Sequence, residues 1–172
     1  ISMTKVLYSG KWMEMRAREV EGHDDYEFTS RVGGRKAVYM IPTDMDDNLI
    51  MILNFRHSVD CKVLEFPAGL VDEGETPYET ADRELLEETG YEASVTKMYP
   101  LGMSNSGGSD EEVWAARMAG CEKVSAQKLD DGEQIQVLIV AQDRLEATID
   151  HYKRIGFKIS SRVIAYMIGK GE

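Results

Sequence analysis

Short runs of alternating hydrophobic and polar positions fill the first half of the chain. They are separated by Gly10, by residues 21–25, by Gly33–Gly34 and by residues 44–48, all rich in glycine, aspartate or asparagine. Such runs between turn residues are typical of β-strands joined by tight turns. The first half is therefore predicted to form mainly antiparallel sheet, from residues 5–9, 11–19, 26–32, 37–42 and 49–56.

The clearest helix is predicted at residues 76–89. Thr76 is a typical N-cap, Pro77 suits the first helical position, and Glu79 stands where it closes a capping box with Thr76. Gly90 follows the last predicted turn, as glycine does where a helix ends in a left-handed residue. Both helix ends are thus predicted from local signals.

Strand-like and helix-like runs interleave in the second half without regular strand–helix–strand repetition. Strands are predicted at residues 93–101, 112–118 and 134–141, and helices at 143–152 and 160–168. This order predicts an α/β fold in which helices cover a mixed sheet.

The composition indicates one folded domain. The chain has 172 residues, of which 42% are hydrophobic and 30% charged, so neither a disordered chain nor a membrane protein is expected. No apolar run approaches the length of a membrane span, and no leader sequence is recognisable at the start of the chain. Two isolated cysteines, Cys61 and Cys121, favour a reducing compartment, and we expect a cytoplasmic protein.

The formal net charge of −11 argues against nucleic acid as a partner, because an acidic surface repels phosphate backbones. Lysine and arginine are scattered singly and form no basic stripe. An anionic ligand would therefore need positive charge at its binding site to offset the negative electrostatic potential of the chain.

Three glutamates of the predicted helix share one face. Glu84, Glu87 and Glu88 stand at i, i+3 and i+4, where their like charges repel, while Ala81 and Leu85 lie on other faces that can pack against the sheet. One interpretation is an ordinary solvated acidic face. The other is a cation site, for which oxygen ligands without histidine or cysteine favour Mg²⁺ or Mn²⁺ over zinc.

The residues around these glutamates decide between the two. Residues 69–91 match every fixed position of the pattern G-x5-E-x7-R-E-U-x-E-E-x-G-U, where U is apolar; only the last U is relaxed, to Tyr91. The pattern is the Nudix box, and the chain resembles the Nudix hydrolase superfamily. The matching residues are Gly69, Glu75, Arg83, Glu84, Leu85, Glu87, Glu88 and Gly90.

Segments outside the box resemble the ADP-sugar pyrophosphatase branch of that superfamily, ADP-ribose hydrolases included. They are residues 65–70, with the sequence Glu-Phe-Pro-Ala-Gly-Leu, and residues 131–133, with the sequence Asp-Gly-Glu. The resemblance implies a Nudix-type α/β/α sandwich. It also implies a division into an N-terminal β segment, residues 1–32, and a Nudix domain, residues 33–172.

The resemblance implies a metal site built by the box. Glu84 and Glu88 would be the principal ligands, Glu87 would share or orient the ion, and the carbonyl of Ala68 would complete the shell. Arg83 would hold the carboxylates in place by pairing with Glu87 or with Glu75.

By the same resemblance, Glu133 would accept the proton of the attacking water, with Glu84 as the alternative base. Arg31 and Arg56 would contact the diphosphate, and Glu65 would belong to the substrate site.

Aromatic side chains near the N-terminus would stack on the nucleobase. Trp12 and Tyr26 match the stacking positions, and Phe28 is a competing candidate for the second platform. In the dimeric relatives the N-terminal strands cross to the neighbouring subunit, so the resemblance implies a homodimer.

The expected activity is Mg²⁺-dependent hydrolysis of a nucleoside diphosphate sugar, such as ADP-ribose, to a nucleoside monophosphate and a sugar phosphate. Ser106 stands where ADP-ribose hydrolases usually carry proline in the loop after the box. GDP-mannose or another nucleoside diphosphate sugar therefore stays open as the substrate. Two alternatives remain: a Nudix-like regulator that binds an ADP-sugar without cleaving it, and a Nudix hydrolase that acts on a nucleoside triphosphate or capped RNA.

Overall fold

The structure is a computed structural model that describes residues 3–34 and 36–170. The outer ends of the two predicted segments, residues 1–2 and 171–172, lie outside the described residues. In the described part of the chain, no helix is long and apolar enough to cross a membrane.

The N-terminal strands form a sheet of their own. Strands β1 (Thr4–Ser9), β2 (Met13–Arg18) and β3 (Tyr26–Arg31) run antiparallel in the order β1-β2-β3. This sheet buries little: Ala17 and Phe28 are enclosed, whereas every residue of β1 is exposed.

Strand β3 joins this sheet to the rest of the molecule. The amide of Thr29 donates to the carbonyl of Gly108 (2.9 Å), and the amide of Asp110 donates to the carbonyl of Thr29 (3.2 Å). The hydroxyl of Ser30 donates to the carboxylate of Asp110 (2.5 Å). Loop 104–110 is therefore docked on β3.

The main sheet consists of two groups of strands that meet where Thr43 pairs with Leu49. In the first group β10 runs parallel to β4 and antiparallel to β9, and β7 pairs with β4; β8 extends the group at the end of β10. Its strands are β4 (Ala37–Asp44), β7 (Ala68–Leu70), β8 (Tyr91–Glu92), β9 (Val95–Met103) and β10 (Glu112–Lys123).

In the second group β5 pairs antiparallel with both β6 and β11, and β12 runs parallel to β6. Its strands are β5 (Leu49–Arg56), β6 (Cys61–Glu65), β11 (Ile135–Val140) and β12 (Lys158–Ile159). Parallel and antiparallel pairs thus coexist, and the expected mixed sheet is confirmed.

Helices cover both faces of this sheet: α1 (Pro77–Thr89) on one, α2 (Leu145–Arg154) and α3 (Ser161–Gly169) on the other. The sequence of strand β5 is continuously apolar because both faces of this strand are buried. Leu49, Met51 and Leu53 pack in the core beneath α2 and α3, whereas Ile50 packs in the core beneath α1. The predicted α/β/α sandwich is therefore confirmed.

The elements differ from the predictions mainly by additions. Strands β6, β7, β8 and β12 were not predicted. β7 follows Pro67 closely, and β7 and β12 are only three and two residues long, too short for a periodic pattern to show. The unpredicted strands β6 and β7 form the part of the chain that leads into the box.

Candidate functional site

The local signals that predicted α1 are present in the structure. Thr76 accepts a hydrogen bond from the amide of Glu79 (3.3 Å), and the Glu79 carboxylate accepts one from the amide of Thr76 (2.8 Å). Gly90 ends the helix with φ of 72°, a left-handed conformation that favours glycine. Both ends of the helix that carries the carboxylates are therefore fixed.

The three glutamates Glu84, Glu87 and Glu88 of α1 differ in their surroundings. Glu88 is only 4% exposed, and its carboxylate accepts a hydrogen bond from the amide of Ala68 (3.0 Å). Glu84 and Glu87 are half-buried and line the cavity described below. The hydrogen bond from Ala68 ties the last turns of α1 to β7.

The surroundings of Gly69 show why the box begins with a glycine. A Cβ at this position would stand 1.9 Å from the side-chain carboxyl carbon of Glu84. Because no Cβ contact can be that short, a residue with a side chain would displace Glu84. The glycine is therefore required by the close approach of β7 to a carboxylate.

Arg83 lies at the centre of an ion-pair network. Its Nε and Nη2 donate to the Glu75 carboxylate (2.8 and 2.9 Å), and its Nη1 donates to Glu84 (2.8 Å) and Glu87 (3.2 Å). The hydrogen bonds from Arg83, above all, lower the pKa of Glu75 to about 2. Arg83 therefore contacts both of the partners that were predicted as alternatives, Glu75 and Glu87.

Burial raises the pKa of Glu84 and of Glu88, two carboxyls on the glutamate face of α1. It is the main cause of the increase for Glu84 and for Glu88, whose pKa rises to about 8. The charges of Glu84 and Glu133 add to the rise at Glu88. These carboxyl groups are thus close enough to repel one another in a partly dry environment.

This donor set fits a divalent cation. Within residues 3–34 and 36–170, no three histidine, cysteine, aspartate or glutamate side chains form a ready-made metal cluster. Buried carboxylates that repel one another are nevertheless the ligands that Mg²⁺ and Mn²⁺ prefer. A cation bound among these carboxylates would stabilise their ionised forms and would therefore lower the pKa values that burial raises.

A cavity of about 810 Å³ opens beside these carboxylates. Its volume lies in the range of small-ligand sites. Of the described residues predicted for the site, Tyr26, Arg83 and Glu88 lie outside the lining. The predicted residues that line it are Trp12, Arg31, Arg56, Glu65, Ala68, Glu84, Glu87 and Glu133.

Glu133 reaches this cavity from the loop between β10 and β11. Its carboxylate accepts a hydrogen bond from the amide of Asp130 (3.0 Å), which closes a local turn. The carboxylate is exposed and faces the same cavity as Glu84 and Glu87.

The two predicted diphosphate arginines both have carboxylate partners. Arg56 binds Glu65 through Nε (3.0 and 3.1 Å) and Nη2 (2.6 Å), and Nε of Arg31 binds Glu111. Burial alone would lower the pKa of Arg56, but the hydrogen bonds to Glu65 and the charges of Glu88 and Glu133 outweigh it and raise the pKa.

The predicted stacking residues lie in different environments. Trp12 is 60% exposed and borders the cavity, with the ammonium of Lys11 4.6 Å from the ring centroid. The hydroxyl of Tyr26 donates to the carbonyl of Gly107 (2.7 Å). Phe28 is buried in the N-terminal sheet, with only 8% of its surface exposed. In the single chain, Trp12 is therefore the aromatic residue of the three that borders the cavity.

A family model for the NUDIX domain matches residues 33–155. The chain belongs to the Nudix family. The resemblance inferred from the box is thereby confirmed, and the chain is a Nudix hydrolase.

Among the Nudix relatives, an ADP-ribose pyrophosphatase of Bacillus subtilis is 31% identical over 147 residues, 81% of this chain and 77% of that protein. An ADP-sugar pyrophosphatase of Mus musculus is 27% identical over 167 residues, 87% of this chain and 77% of that protein. A crystal structure of an ADP compounds hydrolase superposes with a TM-score of 0.65 at 22% identity, covering 86% of this chain and 80% of that one. The structural match shows that the fold is shared.

Several polar residues of the Nudix cavity were not predicted. Lys158, Ser160 and Arg162 line it from β12 and the start of α3, and Lys128 lines it from the loop that carries Glu133. The guanidinium carbon of Arg162 lies 5.2 Å from the ring centroid of Tyr39. These residues belong to no motif. The pairing of β12 with β6 and the hydrogen bond from the amide of Ser160 to the carbonyl of Leu64 (3.0 Å) help to bring three of them to the site.

Proposed function

We propose that this Nudix hydrolase cleaves the diphosphate linkage of a nucleoside diphosphate sugar, such as ADP-ribose, in the presence of Mg²⁺ or Mn²⁺. The products would be a nucleoside monophosphate and a sugar phosphate. One observation carries the proposal: Glu133 lines the same cavity as Glu84 and Glu87, which belong to a complete Nudix box. The names of the bacterial and mouse relatives support the substrate class.

Glu84, Glu87, Glu88 and the carbonyl of Ala68 would hold the divalent cation. When bound, the cation supplies positive charge that offsets the charge of the diphosphate as the reaction proceeds. Arg83 keeps Glu84 and Glu87 oriented through its hydrogen bonds to both. A cation held by these residues would offset the negative charge of the carboxylates. A diphosphate could then bind to this acidic chain.

Glu133 would act as the general base, with Glu84 as the alternative. Its carboxylate takes a proton from a water molecule, whose oxygen bonds to one phosphorus while the bridging oxygen–phosphorus bond breaks. The electron pair of the broken bond stays with the departing phosphate monoester. No oxidant or covalent enzyme intermediate is needed.

Arg31, Arg56 and Glu65 would bind the substrate, and Trp12 and Tyr26 would stack on its base. Planar guanidinium groups suit a diphosphate because they donate in a fixed fork. Residues 1–32 would form a segment for dimerisation and base stacking, and residues 33–172 the hydrolase domain. The protein would be a cytoplasmic homodimer, and its free cysteines, Cys61 and Cys121, agree with a reducing compartment.

A second candidate is hydrolysis of GDP-mannose or another nucleoside diphosphate sugar. Ser106 favours it, because this residue replaces a proline of the ADP-ribose branch. The loop that contains Ser106 is docked on β3 through Gly107 and Gly108, next to the N-terminal aromatic residues. A regulator without activity is the third candidate, and the complete box argues against it.

A substrate panel tests the proposal. The purified protein is incubated with ADP-ribose, ADP-glucose, GDP-mannose, dinucleoside polyphosphates and nucleoside triphosphates, with Mg²⁺, with Mn²⁺ and with a chelator. We expect cation-dependent release of a nucleoside monophosphate from at least one nucleoside diphosphate sugar. Binding of these compounds without hydrolysis would contradict the proposal and indicate a regulator.

The Glu88→Gln variant is the matched control for the panel. It removes a carboxylate of the proposed cation site and should abolish most turnover while leaving the circular dichroism spectrum unchanged. Full activity of this variant in the presence of a chelator would refute the metal-dependent mechanism.

A further inference from the structure

The C-terminal end of α1 is capped by residues 123–128. The last carbonyls of a helix have no partner within the helix and must find one elsewhere. Here the amide of Lys128 donates to the carbonyl of Glu87 (2.8 Å), and Nζ of Lys123 donates to that of Thr89 (2.5 Å). The amide of Val124 donates to the carbonyl of Gly90 (3.0 Å). The chain that leads to Glu133 is thus bound to the helix of the proposed cation site.

Gln127 supplies a side-chain contact of a different kind. Its amide nitrogen donates to the carbonyl of Glu88 (2.6 Å) and also to the carbonyl of Ile135 (3.1 Å). The first acceptor belongs to a carboxylate residue of α1, and the second lies two residues after Glu133, where β11 begins. One half-buried side chain therefore joins the helix to both ends of the loop 128–134.

The other contacts of this loop do not replace that connection. The hydrogen bonds between Asp130 and Glu133 close a turn inside the loop (3.0 and 3.1 Å). The amide of Phe55 donates to the carbonyl of Gln134 (3.2 Å), which holds the loop end to β5. Among the side-chain hydrogen bonds of the described residues, only those of Gln127 connect this end of the loop directly to the carbonyl of Glu88.

We propose that Gln127 is a positioning residue, which fixes the loop carrying Glu133 at a set distance from the carboxylates of α1. The inference rests on the proposed function, in which Glu133 is the base. Displacing a catalytic group by about 1 Å can cost about 10²-fold in rate, and the two hydrogen bonds of Gln127 resist such a displacement. Gln127 itself does not line the cavity, so its role is positioning and not catalytic.

A double-mutant cycle with Gln127→Ala and Glu133→Gln tests this role. In the wild-type background, Gln127→Ala should lower kcat by roughly 10- to 100-fold, with KM changed less than about threefold, because a misplaced base affects the chemical step. In the Glu133→Gln background the same substitution should cost less than about twofold, since no base is left to misplace. An equal loss in both backgrounds would show a general structural role and overturn the proposal.

Two further variants sharpen the cycle. Gln127→Met keeps the length of the side chain but cannot donate, so it should match Gln127→Ala; wild-type activity of Gln127→Met would overturn the proposal. Gln136→Ala removes an exposed glutamine of β11 and should leave the activity of each background unchanged.

Hydrogen exchange tests the contact without substrate. In Gln127→Ala the amides of residues 128–134 should exchange at least about tenfold faster, while those of residues 77–86 stay unchanged. Unchanged exchange in the loop would overturn the proposal. If wild-type protein hydrolyses the substrate and Glu133→Gln alone keeps full activity, the base assignment fails and the positioning role fails with it; absence of hydrolysis in the wild type contradicts the proposed function itself.

Discussion

Gly69 has no side chain at the point where β7 comes nearest to Glu84. The clearance that would remain for a Cβ, 1.9 Å from the carboxyl carbon, is far below any real contact. The first glycine of the box is therefore explained by packing against a carboxylate and not by an unusual backbone conformation. Its substitution should act on the site more than on the fold.

We expect Gly69→Ala to lower kcat by about 10²-fold or more, because Glu84 must move by about 1 Å or more to admit the methyl group. Steady-state kinetics with the substrate found in the panel would measure the loss. Gly102→Ala is the matched control, since a Cβ at Gly102 meets nothing within 4 Å. Equal activity of the two variants would contradict this account of Gly69.

Glu88 links protonation to stability. Burial raises its pKa to about 8 from a usual value of 4.5. Without a cation, the folded state thus binds a proton that the unfolded state releases at lower pH. This contribution to stability is fully present below pH 4.5 and is lost as the pH rises through about 8.

In the absence of metal, wild-type protein should lose stability relative to Glu88→Gln as the pH rises from about 6 to about 9. Urea unfolding of both proteins at each pH would measure the difference. Saturating Mg²⁺ should reverse the trend for the wild type, because a cation favours the ionised carboxylate. A pH-independent difference would mean that Glu88 is not buried as an acid.

The helix α1 shows how far local sequence signals reach. Thr76, Glu79 and Gly90 predicted its ends, and the 3.6-residue period predicted that Ala81 and Leu85 would be buried, as both are. These features depend on neighbours within a few residues along the chain, so the sequence contains them directly.

Contacts between distant segments could not be predicted in this way. Gln127 lies 39 residues from Glu88, and no motif marks it. Strands β7 and β12 are too short for a pattern, although both help to form the cavity. The carboxylates of the site could therefore be predicted from the sequence, whereas the parts of the chain that surround and brace them depend on the sheet topology.

The contribution of the α1 N-cap to the stability of the protein can be measured with variants of Thr76. Thr76→Ala should destabilise the protein by about 0.5–2 kcal/mol, because the amide of Glu79 loses its acceptor. Chemical denaturation would measure the change. Thr76→Ser keeps the acceptor and should restore most of the loss; a Thr76→Ser variant as unstable as Thr76→Ala would argue against capping.

At the scale of the whole molecule, the negative charge is unevenly distributed. Residues 69–91 contain eight acidic residues and one basic residue, Arg83, in a chain with a net charge of −11. The N-terminal sheet shows a different imbalance, because it exposes apolar side chains. Val6, Leu7, Tyr8 and Met13 are all exposed there. A surface of that kind in a small sheet is typical of an interface.

If the N-terminal sheet forms the proposed homodimer, light scattering should give a mass of about twice 19.4 kDa. The double variant Val6→Glu, Tyr8→Glu should shift the mass towards the monomer, because charges would be buried without partners. Ile168→Glu, at an exposed apolar position of α3, is the control and should leave the mass unchanged. A monomeric wild type at all concentrations would refute the dimer.

The capping of α1 by residues 123–128 limits how the box could be reused. A designer who transplanted residues 69–91 into another scaffold would carry over the glutamates, Arg83 and the N-terminal capping box. The acceptor carbonyls of Glu87, Glu88 and Thr89 would arrive without their donors, which come from Gln127, Lys128 and Lys123. The last turn would then fray at Glu87 and Glu88, two of the proposed cation ligands. The box is therefore not a portable module, and a working graft must include the strand end and loop that follow it in space.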